Sequence, residues 1–288
     1  MITAVPLGTW PTPVEEAPRL AARLGLAALW FKRDDLCGLG AGGNKVRKLE
    51  FLLAEAVAAG ARTVITSGGP QSNHARLTAA AAARLGLRCV LVLAGDPPAT
   101  PGGNLLLDRL AGADVRWAGG RPLAAAVEQE RGDAFVIPFG GSSPVSIEGY
   151  ARCGRELREQ VADFDAVVVP LGSGGTMAGL VRELGPSRVV GVDVGALPDP
   201  AGAVRGLLGD ESLDLRVDRG QVGAGYAAMT DAVRQALELT ARLEGVFLDP
   251  TYTGRAMASL IAGGHGSRVV FLHSGGLPAL FAHPEWIR

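Results

Sequence analysis

Short apolar runs alternate along the chain with stretches whose apolar positions recur every three or four residues, and glycines punctuate the joins. The short runs predict strands at 28–32, 63–66, 88–93, 115–117, 134–139, 166–171, 188–194 and 268–273. Helical spacing predicts helices over 14–24, 44–60, about 75–85, 103–110, 123–129, 147–161, 175–183, 230–243 and 254–262. In the second of these, positions 46, 49, 53 and 56 are apolar, Asn44 suits the N-cap and Gly60 closes the run. Residues 198–225 show no clear period. Strands that alternate with helices from end to end predict an α/β fold with parallel sheets covered on both faces. In such sheets, glycine-rich turns after the strands are where ligands bind.

Composition narrows the class. The chain has 288 residues, is 48% hydrophobic and carries a formal net charge of −1, so it can bury a large core but offers no basic field. That argues against nucleic acid and against an anionic membrane surface as partners. Cys37, Cys89 and Cys153 are far apart and odd in number, which fits neither a disulfide framework nor a metal cluster. The four histidines are scattered, so no protein-ligated metal is expected. No charged-then-apolar leader and no bilayer-length apolar run occur, and a reduced, cytoplasmic protein is the expectation.

One bias concerns chemistry. Of 28 basic residues only Lys32, Lys45 and Lys48 are lysine, and two of them lie in Gly42-Gly43-Asn44-Lys45-Val46-Arg47-Lys48-Leu49-Glu50. A lysine amine can lose its proton and form an imine, whereas arginine stays charged. The same stretch also reads as the first turn of a helix with a solvated charged face. Gly172-Ser173-Gly174-Gly175-Thr176 follows an apolar strand and opens a helix. It can cup a phosphate with backbone N–H groups and two hydroxyls, or be a plain tight turn. It lacks the lysine of a Walker loop and the spacing of a dinucleotide fingerprint, which makes nucleotide binding a distant reading. Ser72-Asn73-His74 at a helix start suits a carboxylate, or is an ordinary cap. Tyr252 stands in a turn before a helix, where packing is the commoner role. Taken together, a lysine, a phosphate cup and a carboxylate site are the parts of a pyridoxal phosphate centre.

Several ordered blocks carry a resemblance. They are Lys32-Arg33-Asp34-Asp35, the Gly42–Glu50 string, Gln71-Ser72-Asn73-His74, Gly103-Asn104-Leu105-Leu106-Leu107-Asp108-Arg109-Leu110, the glycine cup, Asp249-Pro250 with Tyr252, and His273-Ser274-Gly275-Gly276. Nearly end to end, they resemble the 1-aminocyclopropane-1-carboxylate deaminase and D-cysteine desulfhydrase family of fold-type II (tryptophan-synthase-β-like) pyridoxal phosphate enzymes. The resemblance implies two three-layer αβα lobes with mostly parallel twisted sheets and the cofactor in the cleft between them. The large domain would comprise residues 1–47 and 141–288, the small one 48–140.

It implies Lys45 as the Schiff-base lysine and Lys48 as a phosphate contact, with Asn44 beside the cofactor and Asn73 on its ring oxygen. Gly172, Ser173, Gly174, Gly175 and Thr176 would cradle the phosphate. Ser72, Asn73 and His74 would receive the substrate, and Tyr226 and Tyr252 match the family's two active-site tyrosines. Thr253 and Ser274 stand where the deaminase branch usually has glutamate and leucine. Small hydroxyl residues there resemble the desulfhydrase branch. A carboxylate by the ring nitrogen strengthens the electron sink that opens a cyclopropane; a hydroxyl leaves a weaker sink, sufficient for expelling hydrosulfide. The implied reaction is α,β-elimination of a small D-amino acid, D-cysteine giving pyruvate, hydrogen sulfide and ammonia, in a homodimer. The alternatives are cyclopropane opening to 2-oxobutanoate, another sulfo-lyase or β-replacement, and a catalytically degenerate ligand-binding protein on the same fold. The chain is shorter than typical members around 97–102 and 119–132, which bears on pocket size.

Overall fold

The structure, a computed structural model, describes residues 4–226 and 228–283. In chain order the first half holds β1 (Val14–Glu16), α1 (Pro18–Leu24), β2 (Ala28–Arg33), α2 (Lys45–Ala58), β3 (Thr63–Gly68), α3 (Asn73–Leu85), β4 (Arg88–Leu93), α4 (Asn104–Leu110), β5 (Asp114–Trp117), α5 (Leu123–Glu130) and β6 (Phe135–Val136). The second half holds α6 (Glu148–Gln160), β7 (Ala166–Leu171), α7 (Gly175–Leu184), β8 (Val189–Asp193), α8 (Pro200–Leu208), β9 (Arg216–Asp218), α9 (Asp231–Glu244), α10 (Thr253–Ala262), β10 (Arg268–His273) and α11 (Leu277–Leu280).

The strands form two sheets. One has the order β1-β2-β10-β7-β8-β9, the other β5-β4-β3-β6. Every pairing is parallel except that of β1 with β2 at the edge. Alternate residues of one strand enter different cores, because successive side chains point to opposite faces. Val269 and Phe271 of β10 pack with Leu237 of α9 and Met257 of α10, while Val270 and Leu272 meet Leu157 of α6 and Leu180 of α7. The smaller sheet repeats the scheme, with Val64 and Leu91 against α2 and α3, and Ile65 and Val92 against α5. Both sheets are therefore the middle layers of αβα sandwiches, as a run such as Val167-Val168-Val169, buried on both faces, requires. The small sheet uses residues 63–136; the boundary expected at 47/48 falls inside α2, which runs through it unbroken.

Two expectations need correction, and one unassigned stretch acquires elements. Residues 14–24 are not one helix: Val14–Glu16 add an antiparallel edge strand, and the helix begins only at Pro18, a residue suited to a first turn. The strand expected over 134–139 is paired only at Phe135 and Val136, after which Phe139–Gly141 turn sharply. The unreadable stretch 198–225 contains α8 and β9. Its helix is signalled locally, since Asp199 caps it by accepting from the Gly202 N–H and Pro200 opens it. Among the described residues no helix is long and apolar enough to cross a membrane, and no cluster of His, Cys, Asp or Glu could hold a metal ion.

Candidate active site

The carboxyl ends of the strands in both sheets converge on a cavity of about 260 Å³. The end of β3 with the residue after it (Gly68, Gly69) and the turns after β7 (Gly172 to Gly174), β8 (Gly195, Ala196) and β10 (Ser274) supply much of its wall. The first residues of α2 and α3 complete it. Parallel topology puts these glycine turns on one edge, so residues more than 200 positions apart in sequence meet there.

Lys45 begins α2 and reaches the cavity. Burial pushes its amine down to about 8, an effect offset in part by a hydrogen bond with Lys48. The loop before it is conformationally demanding. Gly42 has φ +67, and a Cβ there would stand 1.7 Å from the Asp35 carbonyl oxygen. The Asn44 N–H donates to the Ser274 carbonyl at 3.0 Å, tying this loop to the end of β10. Asn44 is not the side-chain cap expected of it; its Nδ2 instead donates to Thr176 Oγ1 at 3.0 Å, across to α7.

Behind Lys45 lies a buried ionic network. Arg47 grips Asp34 with two hydrogen bonds of 2.8 and 2.9 Å and Glu156 with two of 2.8 Å. Tyr150 donates to Asp34 at 2.6 Å, and Lys32 binds Glu156 at 2.6 Å. Asp34, Lys32 and Tyr150 are wholly buried and Arg47 is 2% exposed. The network joins β2, α2 and α6, and so fixes the turn of helix that carries Lys45.

The turn after β7 forms the cup. Gly174 has φ +87 and Gly175 begins α7, whose first N–H groups no carbonyl of their own helix can reach. Ser142 braces it, accepting from the Gly175 N–H at 3.2 Å and sharing a 2.8 Å hydrogen bond with Ser173. Lys48, expected on the phosphate, stands behind this brace. It is fully buried, donates to the Gly140 carbonyl and to Ser142 Oγ, and does not line the cavity. Burial first, then the charge of Lys45, pushes the Lys48 amine well below its ordinary value. The Gly140 carbonyl, Ser142 Oγ and the Lys45 amine are its three partners.

On the opposite wall, Ser72 caps α3 by accepting from the Ala75 N–H at 3.1 Å, and Asn73 and His74 form its first turn. The His74 ring is turned away from charge recognition. Thr66 donates its hydroxyl proton to the Ile137 carbonyl, so the His74 Nε2–H must donate to Thr66, at 2.9 Å. Nδ1 is then a bare acceptor, buried and without a partner. Burial, then Lys45 and Lys48, hold this imidazole well below its usual range, hence neutral.

Tyr226 and Tyr252 meet edge to face, their hydroxyls 2.6 Å apart. Burial raises both phenols, Tyr252 well above 10, so the pair stays protonated at neutral pH. Tyr252 is set by Asp249, whose carboxylate accepts from the N–H groups of Thr251, Tyr252 and Thr253 at 2.8 to 2.9 Å. Thr253 is fully buried and its hydroxyl donates to Asp249 Oδ1 at 2.7 Å, so it too is off the cavity wall. Ser274 is on the wall, its hydroxyl without a hydrogen-bond partner among the described residues.

The cavity thus gathers Asn44, Lys45, Ser72, Asn73, His74, Gly172, Ser173, Gly174, Thr176, Tyr226, Tyr252 and Ser274, and leaves Lys48, Gly175 and Thr253 outside. Sequence reading missed Ser142, Leu123, Phe139 and Ala196. Only Ser142 had a local signal, a hydroxyl in the turn after a glycine pair. None of the lining residues is acidic, and two helix starts face inward. The chamber suits an anion that also carries an electrophile for an amine. The donor set fits pyridoxal phosphate. Lys45 would hold its aldehyde carbon, the 172–176 turn its phosphate and Asn73 its ring oxygen; Thr253, at the position from which the deaminase branch's glutamate reaches the ring nitrogen, is buried on Asp249 and leaves the Ser274 hydroxyl as the one on that wall. The bare Gly172 admits a group beside Tyr252, where a Cβ would lie 3.3 Å from the phenol ring.

Comparisons with known proteins agree. Residues 5–275 match the family described as pyridoxal-phosphate dependent enzyme. D-cysteine desulfhydrase of Salmonella schwarzengrund is 40% identical over 96% of this chain and 94% of that protein. A crystal structure described as an ACC deaminase homologue superposes with a TM-score of 0.89 at 35% identity, covering 99% of this chain and 95% of the other. The crystal structure of a T.th. threonine deaminase gives 0.69 at 25% identity, over 92% of each chain.

Proposed function

The chain belongs to the pyridoxal-phosphate-dependent enzymes, and on that premise we propose that it eliminates the β-substituent of a small D-amino acid, D-cysteine above all. The observation that carries this reading is the absence of any carboxylate among the residues lining the cavity; we take the Ser274 hydroxyl, which lies on its wall, as the partner of the ring nitrogen. Bound pyridoxal phosphate supplies an electron sink conjugated to the substrate's α-carbon. A hydroxyl partner keeps that sink modest, which suits a leaving group as good as hydrosulfide better than a strained carbon–carbon bond.

The chain's own groups divide the remaining work. The first-turn N–H groups of α3 and the Ser72 hydroxyl bind the substrate carboxylate; His74 contributes its backbone N–H, since its neutral ring is engaged with Thr66. Lys45 Nζ, with its amine near 8, takes the α-proton. The tyrosine pair, protonated at neutral pH, donates a proton to the departing sulfur. Tyr226 is the more exposed of the two. The products balance as D-cysteine plus water giving pyruvate, hydrogen sulfide and ammonia. Cytoplasmic location and a homodimeric state are part of the same proposal.

The test incubates cofactor-loaded protein separately with D-cysteine, L-cysteine and 1-aminocyclopropane-1-carboxylate. Equimolar sulfide and pyruvate from D-cysteine, faster than from its enantiomer, is the expected result. Release of 2-oxobutanoate from the cyclopropane substrate with no sulfide from D-cysteine would overturn it.

A further inference from the structure

Three carboxamides stand in line behind the cavity wall, and backbone groups decide which way each one faces. Asn104 Nδ2 donates to the Gln71 carbonyl at 2.8 Å. A backbone carbonyl only accepts, so the amide atom of Asn104 at that position must be nitrogen. The same Nδ2 lies 2.9 Å from the carboxamide of Asn73, which must therefore present its oxygen. The line is fixed at its far end too. The Asn104 N–H donates to Gln71 Oε1 at 2.9 Å, and Gln71 Nε2 donates to the Gly102 carbonyl at 3.0 Å.

We infer that Asn104 is a positioning residue that turns the Asn73 carboxamide so that its Nδ2–H, not its oxygen, faces the cavity. A second observation supports this. Asn104 is fully buried, and its own Oδ1 has no partner. Rotating the amide would set that oxygen against the Gln71 carbonyl and take the donor away from Asn73. The chain instead buries an unsatisfied acceptor and keeps the nitrogen on Asn73. Asn73 Nδ2, in turn, has no protein acceptor among the described residues, and Asn73 lines the cavity. A donor aimed there stabilises an anionic oxygen, and the phenolic oxygen of the cofactor is such a group. An Asn73 turned the other way would set two acceptors face to face. The inference rests on the placement of pyridoxal phosphate proposed above.

The test titrates the visible absorption band of the bound cofactor against pH and measures the cofactor's Kd by equilibrium dialysis. It compares wild type, Asn73→Ala, Asn104→Ala and the double variant. Removing the donor should raise the band's protonation midpoint by about one pH unit and weaken cofactor binding about tenfold, the worth of a hydrogen bond to a charged oxygen. Asn104→Ala should move both quantities toward the Asn73→Ala values, and the double variant should move them no further, because one residue acts through the other. A lower melting temperature with an unchanged midpoint would assign Asn104 a purely structural role and overturn the inference. Additive shifts in the double variant would also overturn it. If Asn104→Ala does not fold, Asn104→Asp keeps the shape but only accepts; it should draw Asn73 Nδ2 inward and raise the midpoint, and an unmoved midpoint there counts against the inference. A wild type without a visible band, or an Asn73→Ala variant identical to wild type, would instead locate the failure in the cofactor placement.

Discussion

Replacing Asp34 by alanine isolates what holds the base of α2 in place. The carboxylate is wholly buried and takes two hydrogen bonds from Arg47, one from Tyr150 and one from Thr12, at 2.6 to 2.9 Å. Its removal leaves the Tyr150 and Thr12 hydroxyls without that acceptor, and Arg47 with Glu156 as its remaining carboxylate. Breaking one partner out of a buried ion pair costs about 3–5 kcal/mol. For a chain of this size that corresponds to a fall in melting temperature of roughly 5–8 °C. The control is Asp114→Ala. Its ion pair with Arg116 is exposed, with side chains 41% and 51% accessible, and is worth about 0–1 kcal/mol. Differential scanning calorimetry or urea melts on the apoprotein give both values. Acid supplies a second check. Burial alone would raise the Asp34 pKa, but the charge and hydrogen bond of Arg47, with that of Tyr150, reverse the effect and leave it lowered. A lowered folded-state pKa means stabilisation that is complete above the unfolded value of about 3.9 and is lost as pH falls through the folded one. The gap between wild type and Asp34→Ala should therefore close below about pH 4. A shift no larger than that of Asp114→Ala, or a gap that persists in acid, would refute the ionic account of this network.

Other outcomes follow from single side chains. Lys45→Met should abolish the visible band of the cofactor-treated protein; a retained band would place the covalent link elsewhere. In the wild-type apoprotein the Lys45 amine is lowered to about 8, so the unfolded chain holds more protons than the folded one between about pH 8 and 10.5. Stability should rise with pH across the lower part of that window, and Lys45→Met should flatten the rise. Gly42→Ala should cost at least ~3 kcal/mol, because the new Cβ meets the Asp35 carbonyl and φ is positive; a near-neutral melt would contradict the loop geometry. Tyr252→Phe should cut sulfide release about 10²–10⁴-fold with the visible band intact. Unchanged turnover would remove the tyrosine pair from proton transfer.

Most of the fold was legible because parallel strands buried on both faces write themselves as unbroken apolar runs, such as Ala166–Leu171. What failed to read was short or at an edge. Val14–Glu16 form three residues of strand with no room for a period, and α8 was hidden in a stretch without alternation although Asp199-Pro200 marked its start. The site read well where backbone makes it, since glycine turns after strands carry their own signal. It read poorly where one side chain orients another. Ser142 braces a turn 31 residues away, and Asn104 meets Asn73 across a similar separation. Nothing local encodes such pairings, and the direction in which Lys48 or Thr253 points is settled by burial rather than by position in a motif.

The three lysines show why scarcity alone does not mean catalysis. Lys32 is retained where a compact ammonium can use all three donors, on the Thr12 carbonyl, Glu156 and Gln160 at 2.6 to 2.9 Å. Lys48 is retained where a slender amine whose charge is disfavoured by burial fits, between the Gly140 carbonyl, Ser142 and Lys45. A guanidinium suits neither place: it is planar, has five donors and stays charged. Lys45 alone opens onto the cavity. The two buried lysines nonetheless bear on its chemistry. Lys32 helps hold Glu156 against Arg47, two residues along the same helix from Lys45. Lys48 shares a proton with Lys45 and braces the cup through Ser142. An arriving phosphate would be met by the brace rather than by the Lys48 side chain, which does not line the cavity. A Lys48→Met variant should therefore loosen the cup and weaken cofactor binding chiefly through the Ser142 contacts, and Ser142→Ala should reproduce most of that loss. If Ser142→Ala binds the cofactor like wild type while Lys48→Met does not, Lys48 acts on the phosphate directly and the brace is incidental.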